Sequence, residues 1–170
     1  MRKTVLFAMS AVVAFSVLLV CMSFCCSNNG LKGEDITYYE YHIGNGYSGQ
    51  SYEFSIYLKD SVVIASYKSC NMLMMRGDTI PCEEYVLRDV PRETLVKIGE
   101  MLVKAKVQNW ESHYTNRDVF DGDSWSMNVK FGKELIWSGG YMAWPDNDPT
   151  HEINKIIYNL CKPQDDESKQ

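Results

Sequence analysis

The sequence predicts an α+β domain, in which an antiparallel sheet of about six or seven strands, built from hairpins, packs against helices. Several short stretches alternate apolar and polar residues, as a strand with one buried face does. Two later stretches repeat their apolar residues with the period of an amphipathic helix. We therefore expect one long helix between two groups of strands and a C-terminal helix, both packed on the sheet.

Residues 1–26 have the layout of an export signal that is not part of the fold. Arg2-Lys3 precede an apolar run, Val5–Val20, which at roughly 16 residues is short for a membrane span of about 20. The run is followed by Cys25-Cys26-Ser27, which resembles the end of a bacterial lipoprotein signal. We predict that Cys26 is acylated after cleavage, with ordinary signal-peptidase cleavage or an uncleaved anchor as the alternatives.

The rest of the chain divides into three parts. Residues 27–35 are polar and contain glycine, which is typical of a flexible tether. Residues 36–163 are expected to form a single domain that buries its own core, and residues 164–170 a disordered tail. The formal net charge is −5 and no Lys/Arg cluster is present, so we expect no nucleic-acid partner, because phosphates would be repelled.

The first strands follow in chain order. Ile36–Ile43 is rich in β-formers but has aromatic residues on both faces, so this strand is either covered on both sides or exposes tyrosines. The glycine-rich loop Gly44–Gly49 leads into another strand rather than a helix, which argues against a phosphate-binding loop. A hairpin with its turn at Lys59-Asp60 comes next. Its first strand has alternating apolar residues at Tyr52, Phe54, Ile56 and Leu58.

A further hairpin is predicted to turn at Arg76-Gly77-Asp78 and to return through Tyr85–Leu87. Cys70 and Cys82 lie symmetrically about this turn. An exported chain meets an oxidising compartment, so a disulfide between them is allowed, and it would contribute about 3 kcal/mol. Two free thiols are the alternative.

Two segments have the helical period. Pro91 opens the first, whose broad apolar face contains Leu95, Ile98, Leu102 and Val103. The second has Asp148 as its predicted N-cap and Pro149 at its first position. Its apolar residues are Ile153, Ile156, Ile157, Leu160 and Cys161. Since no histidine lies at helical spacing from Cys161, we expect a buried small hydrophobe rather than a nucleophile.

The strongest hairpin signal lies between these helices. Trp125, Met127, Val129 and Phe131 alternate with polar residues. Gly132-Lys133 then suits a two-residue turn before the apolar residues 135–137. We expect both Trp125 and Trp137 to be buried. The glycines of Ser138-Gly139-Gly140 are expected to end the second strand or to cause a bulge in it.

The order of these features resembles a known group of proteins. It comprises a leader, a tether, a loop rich in glycine and tyrosine, a helix ending near a tryptophan, and three motifs: Asp121-Gly122-Asp123-Ser124-Trp125, Ser138-Gly139-Gly140-Tyr141 and Trp144-Pro145. Together they resemble the small uncharacterised lipoproteins of Bacteroides-type bacteria. The resemblance implies a membrane anchor and a similar fold, but it implies no activity.

Aromatic residues on loops predict the function. Tyr47, Tyr141 and Trp144 lie beside glycine or proline, and aromatics with polar tips are common where glycans or proteins bind. We therefore predict a non-catalytic, lipid-anchored protein of the cell envelope that binds a glycan or an envelope protein, without a cofactor. Ser27 and the lack of acids directly after Cys26 favour an outer-membrane lipoprotein facing the periplasm.

Two alternatives remain open at this point. The protein could be a structural or interaction protein of the envelope without a small ligand. It could also be a hydrolase that uses Asp121, Asp123 and His113, although the sequence shows no nucleophile and base at a defining spacing. No pair of histidines is spaced for zinc, and three aspartates (118, 121 and 123) suit a plain turn better than a calcium loop.

Overall fold

In the part of the chain that the structure describes, the fold consists of a seven-stranded sheet and two α-helices. The computed structural model describes residues 30–71 and 82–162. The strand order is β4-β3-β2-β1-β6-β7-β5, and every pair is antiparallel except β5 with β7. The elements are β1 (Ile36–Asn45), β2 (Gln50–Lys59), β3 (Val62–Asn71), β4 (Cys82–Val90), α1 (Arg92–Lys104), β5 (His113–Thr115), β6 (Asp123–Phe131), β7 (Glu134–Tyr141) and α2 (Thr150–Cys161).

The α+β class, the mainly antiparallel sheet and the C-terminal helix are confirmed. α1 does lie between two groups of strands, but it has 13 residues against 12 in α2. The prediction of one long helix is therefore not confirmed. α2 also begins one residue later than expected, with Pro149 rather than Asp148 at the cap position, a difference typical of helix ends.

The core lies between the two helices and one face of the sheet, which we call the inner face. On this face Tyr39 of β1 pairs with Ile56 of β2 and with Val129 of β6, and all three side chains are fully buried. The helices contribute the fully buried Leu95, Ile98, Leu102, Ile153 and Ile157. Each such side chain contributes about 1.5–3 kcal/mol through burial, so this layer is the main source of stability.

β1 is an inner strand of the sheet, paired with β2 on one side and β6 on the other. This position accounts for its aromatic residues on both faces. Tyr39 and Tyr41 are buried on the inner face, whereas Tyr38 lies on the opposite, outer face with its ring centroid 6.2 Å from that of Tyr57. The helices cover one side of the strand, and a tyrosine pair partly shields the other.

The two tryptophans of the β6–β7 hairpin lie on opposite faces. Trp125 is 4% exposed, as expected, but Trp137 is 49% exposed, so the prediction that both are buried is wrong for Trp137. The turn at Gly132-Lys133 sets a register in which Trp137 lies opposite Asn128. Because side chains alternate along a strand, Asn128 and Trp137 share the outer face while Trp125 points to the inner one.

The glycines after Ser138 do not end or bulge β7, so that prediction is wrong. Residues 138–140 are buried, and the strand continues past them. A Cβ on Gly140 would lie 2.6 Å from both the carbonyl oxygen of Ala143 and Nε1 of Trp125. The amide of Gly139 donates to the carbonyl of Ser112 at 3.1 Å. Glycine is needed here because neighbouring groups approach the strand closely.

Part of the segment predicted as a flexible tether is structured. Gly33–Asp35 form a short 3-10 turn against α1. Nη2 of Arg92 donates to the carbonyl of Glu34 at 2.9 Å, and a Cβ on Gly99 would collide with the carbonyl of Gly33. Packing on the helix therefore begins before Ile36, the residue at which the domain was expected to start.

Cys70 and Cys82 form a disulfide where β3 pairs with β4, with their Cα atoms 4.2 Å apart. Of the two alternatives left open by the sequence, the structure has the bridged one. Cys161 is the free cysteine of the described residues and is 7% exposed. Burial raises the pKa of its thiol, as expected for a cysteine that acts as a small hydrophobe.

Several predictions lie outside the described residues. These are the export signal at 1–26 with the acylated Cys26, the first part of the tether, the turn at Arg76-Gly77-Asp78 and the tail at 164–170. Within residues 30–71 and 82–162, neither helix combines the length and the hydropathy that a membrane crossing requires.

Candidate ligand-binding site

An open cleft of about 700 Å³ lies on the inner face, at the end where β1 turns into β2. Pockets that hold small ligands usually measure about 300–1,000 Å³. Six of the side chains that line this cleft are aromatic. The lining consists of Tyr41, Ile43, Tyr52, Phe54, Tyr67, Trp144, Asp148, Thr150, His151, Asn154, Lys155 and Tyr158.

The floor of the cleft is a cluster of aromatic rings centred on Tyr67. Its ring centroid lies 5.3 Å from that of Phe54 and 6.5 Å from that of Tyr52, and Tyr158 meets it edge-on at 5.0 Å. Such separations are favourable for aromatic pairs. Tyr67 is 7% exposed, so its ring is almost fully enclosed by its neighbours and forms the buried centre of the floor.

Helix α2 forms one wall. His151, Lys155 and Tyr158 line the cleft at positions i, i+4 and i+7, which place them on one side of the helix. Asn154 also lines the cleft and is 9% exposed. The hydroxyl of the buried Tyr39 donates to Oδ1 of Asn154 at 2.9 Å, so the amide NH2 group of Asn154 is left as a donor.

The loop between β7 and α2 forms the opposite wall through Trp144, which is 37% exposed. Its indole Nε1 lies 3.4 Å from the hydroxyl of Tyr41, longer than a typical hydrogen bond. The loop is fixed from behind, because Nε1 of the buried Trp125 donates to the carbonyl of Ala143 at 2.8 Å. Trp144 is therefore an exposed ring on a well-supported backbone.

Asp148 ties this loop to the start of α2. One carboxylate oxygen accepts from the amide of Thr150 and the other from its hydroxyl, each at 2.8 Å. Burial raises the pKa of Asp148, and the bonds from Thr150 and the charge of His151 oppose that rise. Since both oxygens are engaged, the carboxylate has a positioning role at the rim of the cleft.

Three buried tyrosines at the site, Tyr39, Tyr41 and Tyr67, have a raised pKa and remain protonated at neutral pH. Burial is the main cause of the raised pKa of Tyr41 and of Tyr67. It also raises the pKa of Tyr39, the partner of Asn154, well above its ordinary value. The hydroxyls of these three tyrosines can therefore both donate and accept a hydrogen bond.

The three aromatic residues predicted as a site do not all meet. Trp144 lines the cleft. Tyr47 is 80% exposed in the turn between β1 and β2, and Tyr141 ends β7, half-buried and opposite Ser124. Neither Tyr47 nor Tyr141 is part of the lining.

The residues of the hydrolase alternative lie away from the cleft. His113 is exposed in β5, opposite Gly139. Asp121 is exposed before β6, and Asp123 begins that strand and accepts from Nδ2 of Asn45 at 2.7 Å. None of the three lines the cleft. Over residues 30–71 and 82–162, no three His, Cys, Asp or Glu side chains are placed to hold a metal ion.

Most of the cleft was missed from sequence. Tyr52 and Phe54 were predicted as strand residues, but the inner face at this end of the sheet had no predicted role. A usable signal was present in α2, where His151, Lys155 and Tyr158 repeat with helical spacing beside the apolar face. That repeat predicts a second side of the helix, distinct from the one that packs on the core.

Comparisons with other proteins do not add an activity to this geometry. No model of a known protein family matches the chain, and no curated protein matches it. The site must therefore be interpreted from its own chemistry.

Proposed function

We propose that this protein is an exported, lipid-anchored, non-catalytic protein of the cell envelope that binds a glycan in the aromatic cleft. The observation that carries the proposal is the cleft itself. It offers about 700 Å³ of open space with six aromatic rings in its lining, among them the exposed Trp144. It also refines the expected site, since Trp144 is retained while Tyr47 and Tyr141 are replaced by the rings of the floor.

The chemistry of the lining favours a sugar over an aliphatic ligand. Among residues 30–71 and 82–162, four of the six aromatic residues of the lining are tyrosines, and Ile43 is its one aliphatic residue. A tyrosine presents an apolar ring face together with a hydroxyl. A sugar ring has the matching pattern, with C–H faces and hydroxyl edges. A lipid chain would be better matched by leucine, isoleucine and valine.

The polar residues of the rim favour binding rather than catalysis. Asp148 has both oxygens bound by Thr150, and Asn154 is held by Tyr39. A general acid or base must reach a proton of the substrate within hydrogen-bond distance. Groups already engaged in holding the loop and the helix are better suited to orienting a ligand.

The envelope location rests on the leader and on the cysteines. The leader ends in Cys25-Cys26-Ser27, and a disulfide joins Cys70 to Cys82. Disulfides persist in oxidising compartments outside the cytoplasm. We place the anchor at Cys26, in an outer membrane with the domain facing the periplasm, because Ser27 follows Cys26 and no acidic residue comes directly after it.

An oligosaccharide array tests the binding function. Full-length protein in mild detergent is applied as wild type, Trp144→Ala and Trp137→Ala. Trp137 is the matched control, because it is also an exposed tryptophan but lies on the outer face. We expect saccharide signals that fall about tenfold or more in Trp144→Ala and stay unchanged in Trp137→Ala. Equal signals from all three proteins would refute the assignment to the cleft.

Metabolic labelling with an alkyne fatty acid tests the anchor. Wild type and Cys25→Ser should incorporate the label, whereas Cys26→Ser should not. Labelling that persists in Cys26→Ser and is lost in Cys25→Ser would move the acylated residue by one position. A lack of labelling in every variant would remove the lipid anchor from the proposal.

A further inference from the structure

We propose that the glycan is acidic, and that a carboxylate on its ring is bound by a row of donors on α2. This inference rests on the proposed glycan binding and names its substrate class. We call His151, Lys155 and Lys162 the basic row. The aromatic floor can stack on the face of any sugar ring. The positive charge of the row would add a preference for sugars that carry a carboxylate.

The spacing of the basic row places it along the cleft. His151, Lys155, Tyr158 and Lys162 occur at i, i+4, i+7 and i+11, and such positions fall on one side of a helix. His151, Lys155 and Tyr158 line the cleft. Nζ of Lys162 lies 5.9 Å from the ring centroid of Tyr158, so this second lysine extends the row just past the end of α2.

Neither lysine forms an ion pair with an acid among residues 30–71 and 82–162. Among residues 30–71 and 82–162 the ion pair is Lys32 with Glu34, at 3.8 Å. Lys155 is exposed and forms no ion pair there, and Lys162 instead lies over the rings of Tyr85 and Tyr158. Lys155 lines the cleft and Lys162 lies beside Tyr158 of its lining, so an anion in the cleft would meet two ammonium groups that are not ion-paired.

Asn154 supplies an uncharged donor between the basic row and the floor. Its Oδ1 accepts from the hydroxyl of Tyr39, so its NH2 group is the part of the amide that can donate to a ligand. Asn154 is 9% exposed and lines the cleft. A carboxylate accepts several hydrogen bonds at once, so it can engage this amide and Lys155 together.

The acidic groups near the cleft lie at the two ends of the basic row. Asp148 lines the rim and interacts with the charge of His151, so it offsets the His151 end of the row. Glu83 lies near Lys162 at the far end of the row. Glu152 lines a different cavity with Lys104. Donors thus predominate on the side of the cleft where Asn154 and Lys155 lie.

Two dyes with one ring system test the charge preference without knowledge of the natural ligand. 8-Anilinonaphthalene-1-sulfonate carries an anion, and N-phenyl-1-naphthylamine is the same ring system without it. Fluorescence titration of the full-length protein gives an affinity for each dye. The variants are Lys155→Gln, the double variant Lys155→Gln/Lys162→Gln, Trp144→Ala and, as a matched surface lysine on the outer face, Lys130→Gln.

We expect each lysine substitution in the row to lower the affinity for the anionic dye by roughly two- to fivefold, as for a partly exposed ion pair. The affinity for the neutral dye should stay unchanged. Trp144→Ala should lower the affinity for both dyes, and Lys130→Gln should change neither affinity. An unchanged ratio of the two affinities in the double variant would overturn the acidic preference alone. Unchanged binding of both dyes to Trp144→Ala would overturn the cleft as a binding site, and so the proposed function.

Competition identifies the source of the anion. Oligogalacturonate should displace the anionic dye, and its methyl ester, which has the same rings without charge, should displace it at least about fivefold less well. Equal displacement by acid and ester would contradict the proposal. Displacement by dodecanoate at lower concentrations than by oligogalacturonate would assign the cleft to a lipid and likewise overturn it.

Discussion

The inner face of the sheet is closed at one end and open at the other, although the same strands supply both ends. β2 contributes Ile56, which is fully buried, and two residues away Phe54, which is only half-buried. β1 likewise contributes the fully buried Tyr39 and the half-buried Ile43. The helices cover the first of each pair, while the second lines the cleft.

The difference lies in what each end uses its side chains for. The closed end meets the aliphatic residues of both helices, such as Leu95 and Ile157, and removes them from water. The open end meets Trp144 and the polar side of α2 and leaves ring faces accessible. On β2, neighbouring inward-facing residues therefore lie in the core at one position, Ile56, and line the open cleft at the next, Phe54.

The largest expected effect comes from truncating the two neighbours on β2. Ile56→Ala should lower the free energy of unfolding by about 3–4 kcal/mol, because it leaves a cavity in the closed end. Phe54→Ala should lower the free energy of unfolding by about half as much, because its ring is partly exposed. Phe54→Ala should also lower the affinity for both naphthalene dyes, whereas Ile56→Ala should leave both affinities unchanged. Urea unfolding and dye titration measure the two quantities. A larger stability loss in Phe54→Ala than in Ile56→Ala would erase the distinction between the ends.

The disulfide is expected to stabilise the protein from the open end. Cys70 lies opposite Ser51, next to Tyr52 of the cleft floor. The bridge closes a segment with a sequence separation of 12, so Cys70→Ser/Cys82→Ser should lower the free energy of unfolding by about 3 kcal/mol. Urea unfolding of the variant is compared with that of wild type before and after reduction. If reduction shifts the wild-type midpoint no further than it shifts that of the variant, the bridge does not have this role.

Gly140 tests how the loop wall of the open end is supported. A Cβ at this position would collide with Ala143 and with the indole of Trp125, so Gly140→Ala should cost about 1–3 kcal/mol and weaken dye binding by displacing the loop. Gly46→Ala is the control, because a Cβ there meets nothing within 4 Å. Thermal unfolding and dye titration of the two variants provide the comparison. Equal behaviour would mean that the close packing behind Trp144 is unimportant.

The smallest expected effect concerns Asp148. Burial raises its pKa above the ordinary value of 3.8, so the ionised form is disfavoured in the folded state. The resulting cost is absent below that ordinary value, grows as the pH rises towards the folded pKa and is fully present above it. Asp148→Asn keeps an oxygen for the amide of Thr150 and should therefore gain stability relative to wild type as the pH rises from about 4 to 7. Urea midpoints over this range measure the gain, and a relative loss at pH 7 would contradict it.

Local patterns were sufficient for the hairpins and the helices, because each depends on residues close in sequence. The alternation around Trp125 and the helical repeat at Ile153, Ile157 and Cys161 predicted elements that the structure contains. The face of Trp137 was also within reach, since a two-residue turn at Gly132-Lys133 fixes the register. The prediction failed for Trp137 because residues 135–137 were interpreted as one apolar run, in which alternate residues were not assigned to opposite faces.

The cleft required information that local patterns lack. β1 pairs with β6, so that Tyr41 lies opposite Met127, and no periodicity specifies such a distant pairing. By propensity alone, Gly139 and Gly140 suggest the end of a strand. The strand continues through them, because Ser112 and Trp125 approach so closely that only glycine fits. Tyr67 and Tyr158 meet only because α2 crosses this part of the sheet.

A crystal structure of the full-length protein soaked with the tightest-binding saccharide of the array tests the central claim most directly. We predict a sugar ring stacked on Trp144 above Tyr52 and Phe54, with its carboxylate within hydrogen-bond distance of Lys155 and Asn154. A ring seated instead against Trp137 or Tyr47, with an empty inner face, would contradict the assignment of the open end as the binding site.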